Sequence, residues 1–191
     1  MVVVRAMDRK IERLERKIMK SEAGAKPAAR FGHTDKDGYE TIWVLGAAGV
    51  GRRMIHGVAS TPTINSHKYS LASAGCQAKL PVPLKSEHAA GQIGEVVLLR
   101  KSAREIYVRA VLFDTPAADY AWSLIKAGET RCFSGASKGG VVSDGKLSYL
   151  PALVGDAVVD GVTFYKSWWL DEVSVCRIGA NPDCHFDIFK G

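Results

Sequence analysis

No apolar run in this sequence approaches the ~18 residues that a helix needs to cross a bilayer. The opening Met1-Val2-Val3-Val4 is too short for the core of a signal peptide, and a charged stretch follows it. A soluble, unexported protein is the expectation. Cysteine is scarce, and Cys76, Cys132, Cys176 and Cys184 show no framework spacing. That excludes a scaffold stapled by disulfides and leaves reduced thiols as the default. Cys176, Cys184 and His185 are near one another, but a zinc site needs a tighter pair and a fourth ligand. No metal and no cofactor is therefore expected. A nucleotide loop is missing too. Gly46-Ala-Ala-Gly-Val-Gly51 has the glycines, yet Arg52 and Arg53 stand where phosphate chemistry asks for lysine and then a hydroxyl. The segment reads as a hairpin turn. Aromatics are few, at 8%, and the basic residues do not cluster with them. Nucleic acid is thus not the expected partner, although the net charge is +6 and the pI about 9.2.

What is present is enough to fold. A hydrophobic fraction of 47% over 191 residues supports one domain with a buried core, or one domain plus a short appendage. Met7, Ile11, Leu14 and Ile18 recur at helical spacing with charges between them, an amphipathic helix of roughly four turns. Its charged face, Arg5 to Lys20, mixes signs and reads as solvated. Residues 21–30 are rich in Ala, Gly, Lys and Pro, as a flexible linker is. Residues 1–30 are thus read as a helix and linker, which packs on its own domain or serves docking and self-association. Residues 31–191 are read as the main domain.

That domain is expected to be α+β, a mainly antiparallel sheet or barrel with packed helices. Thr41 to Leu45 and Arg52 to Ala59 read as two strands joined by the glycine-rich turn. Val96 to Lys101 and Ile106 to Phe113 read as a hairpin, with Ile106, Val108, Ala110 and Leu112 facing one way by period-2 alternation. A helix follows. Thr115 can cap it, Pro116 fits its first turn and Gly128 can end it, with Tyr120, Ala121, Leu124 and Ile125 as the buried stripe. A loop at Asp144-Gly145 and a last strand, about Val162 to Cys176, complete the reading.

Three segments carry candidate chemistry. Of five histidines, His33 lies in a polar turn, His56 within a strand, and His67 and His185 in polar surroundings. His88 differs: it follows the extended apolar Leu80-Pro-Val-Pro-Leu84 and precedes small residues, which puts an imidazole at the mouth of a sheet. Ser134 lies in Cys132-Phe-Ser-Gly-Ala-Ser-Lys-Gly-Gly140, where small neighbours leave room for a carbonyl and backbone N–H groups can turn towards an oxyanion. Glu172 lies in Trp168-Trp-Leu-Asp-Glu-Val-Ser-Val175. Alternation puts Leu170, Glu172, Ser174 and Cys176 on one face, and a carboxylate there is costly to bury unless a partner meets it. Each segment also has an ordinary reading: a structural histidine, a glycine-rich bulge, an edge-strand carboxylate facing water.

Taken in order, the segments resemble the prohead proteases of tailed phages, a family that shares its fold with the herpesvirus maturation proteases. The resemblance runs from about Gly57 to Pro182. It rests on Gly57-Val-Ala-Ser60, on Pro83-Leu84 with His88 and Ile93-Gly-Glu-Val96, and on the helix Tyr120 to Gly128. It rests further on Ser134 and on Glu172-Val-Ser-Val175 followed by Asn181-Pro182, the most specific piece. The sequence departs from the family pattern at Gly135-Ala136, where an apolar residue and then glycine are usual, which leaves Ser137 as an alternative nucleophile. It departs again at Asn65, where the family often has aspartate.

The resemblance implies a serine endopeptidase on a herpesvirus-protease-like fold, with His88 as base, Ser134 as nucleophile and Glu172 orienting the base. It implies oxyanion donors within Gly135 to Gly140. It also implies cleavage of scaffold and major capsid protein segments inside the immature capsid in the host cytoplasm, and self-cleavage. The alternative from another class is a non-catalytic capsid- or scaffold-binding protein that keeps the protease fold. Whether the chain self-associates is left open.

Overall fold

In a computed structural model, residues 30–36, 38–44, 53–137, 141–143, 146–148 and 155–190 are described. The stripe from Met7 to Ile18, residues 21–29 of the linker, the turn Gly46 to Gly51 and the Asp144-Gly145 loop lie outside them, while Arg30, read as the linker's last residue, is the first residue of a strand. The strands are β1 (Arg30–Thr34), β2 (Glu40–Val44), β3 (Met54–Ser60), β4 (Tyr69–Leu71), β5 (Cys76–Ala78), β6 (Val82–Ser86), β7 (Gln92–Lys101) and β8 (Ile106–Leu112). After helix α1 (Pro116–Ala127) come β9 (Cys132–Ala136), β10 (Val141–Ser143), β11 (Lys146–Ser148), β12 (Gly155–Val159), β13 (Val162–Tyr165), β14 (Trp168–Leu170), β15 (Glu172–Cys176) and β16 (His185–Ile188).

The main sheet runs β16-β3-β8-β7-β6-β15-β9, with β2 and then β1 added along β7. All of its pairs are antiparallel except β15 with β6. Its two ends come together. The Phe186 N–H on β16 donates to the Arg131 carbonyl, next to β9, at 2.9 Å, and the Phe186 and Phe133 rings meet at 4.8 Å between centroids. The sheet is therefore a nearly closed barrel, which leaves few unpaired strand edges.

The core lies inside this barrel. Ile55, Leu84, Val96, Val108, Phe133 and Val173 are fully buried in it. Each such side chain contributes about 1.5–3 kcal/mol on leaving water. Both faces of β8 are largely covered: Ile106, Val108, Ala110 and Leu112 are buried as alternation predicts, and Arg109 and Val111 on the other face are buried too. The Arg109 guanidinium lies over the Phe189 ring at 4.1 Å.

Several expectations are corrected. β2 and β3 do not form a hairpin: β2 pairs with β1 and β7, and β3 with β8 and β16. The turn before β2 supplies its local partner instead, with Asp35 accepting the Tyr39 and Gly38 N–H groups. His33 accordingly sits in β1, exposed, rather than in a turn. Among the described residues there is one α-helix and one 3-10 turn, Ser73–Gly75, so more than one packed α-helix is not found among them. The helix has the anticipated ends: the Thr115 side chain accepts from the Ala118 N–H, and Gly128 takes a left-handed φ of 74°. Its buried stripe is Ala118, Ala121 and Ile125. Tyr120 is 65% exposed, because the short helix rests on the sheet through small residues. Finally, the last long strand is broken into β13, β14 and β15. These pair in parallel with β4, β5 and β6 in turn.

That last correction positions the site. Two segments, 69–86 and 162–176, run side by side and touch through three short parallel ladders. The first ends at the turn that bears His88. The second ends in the strand that bears Glu172.

Candidate active site

Three neighbouring strands share a face here. In the β15–β9 ladder Ser174 is opposite Ser134, and Glu172 is opposite Ala136. In the β15–β6 ladder Ser174 is opposite Lys85. Side chains opposite one another in a ladder lie on the same face of the sheet. Lys85, Glu172, Ser174 and Ser134 are thus neighbours by register alone. His88 comes from the turn after β6, where Glu87 and His88 both take positive φ, 48° and 55°. Such a conformation is rare outside glycine and needs support from its surroundings. That support is present: the Glu87 N–H donates to the Val175 carbonyl at 3.0 Å, and the His88 N–H to Ser174 Oγ at 3.1 Å. The backbone is tied to β15 on both sides, and the imidazole is carried over the shared face.

There the sequence candidates meet. His88 Nδ1 lies 2.6 Å from Glu172 Oε1, and His88 Nε2 lies 3.0 Å from Ser134 Oγ. An ionised carboxylate can only accept, so Nδ1 carries the proton and donates to Glu172. Nε2 is then the lone-pair nitrogen and accepts from the Ser134 hydroxyl. Ser134 and Glu172 are 6% and 4% exposed, whereas the His88 side chain is 42% exposed. A base held between two buried groups therefore still opens to solvent. Ser137, the alternative, has its Oγ buried and without a hydrogen-bond partner among the described residues. Of the proposed oxyanion segment, Gly135 and Ala136 belong to β9, and residues 138–140 lie outside the described residues.

Two further residues join the group that were not among the three read from the sequence as reacting groups. Lys85 Nζ lies 2.6 Å from Glu172 Oε2, with its side chain only 13% exposed. Ser174 donates to Glu172 Oε1 at 3.3 Å. The alternation of β15 already put Ser174 on the Glu172 face. Lys85 left a fainter trace, as a lone charge closing the apolar run Leu80 to Leu84. Burial pushes the Glu172 carboxyl towards the neutral form. The hydrogen bonds and charges of Lys85 and His88 outweigh it, and the carboxyl titrates below its ordinary value.

Chemically, the arrangement can take a proton from Ser134 onto His88 while Glu172 stabilises the resulting imidazolium. Three of the four thiols are poor nucleophiles. Burial pushes Cys76, Cys176 and Cys184 up to about 12, so they are protonated near neutral pH. Among the described residues no group of three His, Cys, Asp or Glu side chains stands close enough to hold a metal ion. Nor is any described helix long and apolar enough to cross a membrane. The other histidines are elsewhere: His56 Nδ1 pairs with the Tyr107 hydroxyl at 2.6 Å, while His67 and His185 are exposed.

No family model matches this chain, and no curated protein matches it. Among solved structures, the KSHV protease in complex with a hexapeptide phosphonate inhibitor is similar at a TM-score of 0.46 and 12% sequence identity. The similarity covers 73% of this chain and 66% of that one.

Proposed function

We propose that this chain is a serine endopeptidase in which Ser134 attacks a peptide carbonyl, His88 takes and returns the proton, and Glu172 holds the imidazole. One observation carries the reading: the unbroken series Ser134 Oγ, His88 Nε2, His88 Nδ1, Glu172 Oε1, at 3.0 and 2.6 Å. Serine is a poor nucleophile until a base takes its proton. The Nδ1-to-carboxylate bond selects the tautomer whose Nε2 is free to do so, and it stabilises the charged imidazole that follows. Histidine then returns the proton to the leaving amine.

The resemblance of the sequence to prohead proteases extends the proposal to its setting. The substrates are extensions of a phage major capsid protein and its scaffold, cleaved within the immature capsid in the host cytoplasm, and the chain also cuts itself. The test is incubation of the protein with phage major capsid and scaffold proteins, followed by mass spectrometry of the products. Discrete new termini that vanish with S134A support the reading. Intact substrates after prolonged incubation with a folded enzyme contradict the assignment of substrate.

A further inference from the structure

The Glu172 carboxylate is gripped at both oxygens, and the second grip comes from a residue with no part in the proton path. Oε1 faces His88 Nδ1 and also accepts from Ser174, whereas Oε2 faces Lys85 Nζ at 2.6 Å. A carboxylate 4% exposed is expensive to hold ionised unless cations and donors surround it. The charged groups that face it can be named strand by strand. β6 supplies Lys85 and the following turn supplies His88, while β9 supplies only Ser134 and Ala136, which carry no charge. Glu87 is engaged elsewhere and accepts the Arg177 N–H at 2.8 Å. When His88 is neutral, as a base must be, Lys85 is the one cation on the carboxylate among the described residues.

We propose that Lys85 is a positioning residue of this site: from the adjacent strand it holds Oε2, which turns Oε1 towards His88, and its charge keeps the buried carboxylate ionised while His88 is neutral. This rests on the reading of Ser134, His88 and Glu172 as the reacting groups. Lys85 is opposite Ser174 in the ladder, so the brace is built into the β6–β15 register and is in place before substrate arrives. Ser174 completes it, since the one hydroxyl accepts from the His88 N–H and donates to Oε1.

The test is the rate at which the full-length chain is labelled by a fluorophosphonate, followed against probe concentration and pH. In K85M the maximal rate should fall about tenfold, part of the roughly 10²–10⁴-fold that positioned acid–base catalysis is worth. The half-saturating probe concentration should not change. The acid limb of the profile should move to higher pH, and K85R should restore most of the rate. Because Lys85 acts through Glu172, K85M added to E172Q should cost little more than E172Q alone. A wild-type rate and acid limb in K85M overturns the proposal, as do losses that multiply in the double variant. If K85M does not fold, Lys85→Gln replaces it; if neither neutral variant folds while K85R does, the cation serves folding and the proposal falls. S134A runs alongside, and undiminished labelling there sinks the underlying reading instead, so the two failures are told apart.

Discussion

A single carboxylate oxygen decides which tautomer His88 adopts, and so Glu172 should matter through rate rather than binding. Glu172→Gln keeps the shape but can present an amide donor to Nδ1, which favours the wrong tautomer. A loss on the order of 10²-fold or more in kcat with KM nearly unchanged is the expected result, read in peptide-cleavage assays. Asp171→Asn, one residue earlier, is the control and should be nearly silent. The same carboxylate should appear in acid stability. Glu172 titrates below its ordinary value near 4.5, so on acidification the unfolded chain takes up this proton first. The stability that Glu172 contributes is therefore complete above 4.5 and is lost as pH falls through the folded-state value. Thermal midpoints of wild type and E172Q should converge as pH drops below that range. A gap that widens there would contradict the ionised carboxylate. At this scale the sequence was informative because alternation is a strict rule. It put Glu172 and Ser174 on one face without knowledge of their neighbours. Lys85 showed only as a lone charge after an apolar run, and its contact with Glu172 was not legible, since that depends on which strand pairs with β15.

Among the elements, β16 does the closing, and its seat on β3 depends on Gly57. A Cβ at that position would stand 2.1 Å from the His185 carbonyl oxygen, a backbone atom that cannot step aside alone. Gly57→Ala should therefore destabilise the protein by about 1–3 kcal/mol, the usual range for an overfilled site, read by urea denaturation. Since Phe186 on β16 bonds to Arg131 beside β9, the variant should also loosen the strand that carries Ser134 and slow labelling. Unchanged stability would mean that β16 does not lie against β3 as described. Elements with local signals were legible: the α1 caps, Thr115 and Gly128, and the β7–β8 hairpin. Elements defined by distant partners were not. The supposed β2–β3 hairpin failed because neither strand pairs with the other. The supposed long final strand is three strands, because its partner segment is itself interrupted. Tyr120 was misplaced for a related reason: helical periodicity marks a stripe but not which small residues the sheet will admit.

For the molecule as a whole, a mostly antiparallel, nearly closed barrel was foreseeable from short strands between turns. The parallel run of segments 69–86 and 162–176 was not, because no local pattern announces pairing across such a span. Every side chain of the site lies between Lys85 and Ser174, and deletion of residues 1–29 should leave the chemistry intact. The truncated protein should be labelled by a fluorophosphonate at the full-length rate and associate less with scaffold or with itself, as sedimentation would report. An unfolded truncation would show instead that the stripe from Met7 to Ile18 belongs to the core. The most direct measurement is the site of fluorophosphonate modification, mapped by mass spectrometry on wild type, S134A and S137A. The adduct should fall on Ser134, vanish in S134A and persist in S137A. An adduct on Ser137, or undiminished labelling of S134A, would contradict the assignment of Ser134 as the nucleophile.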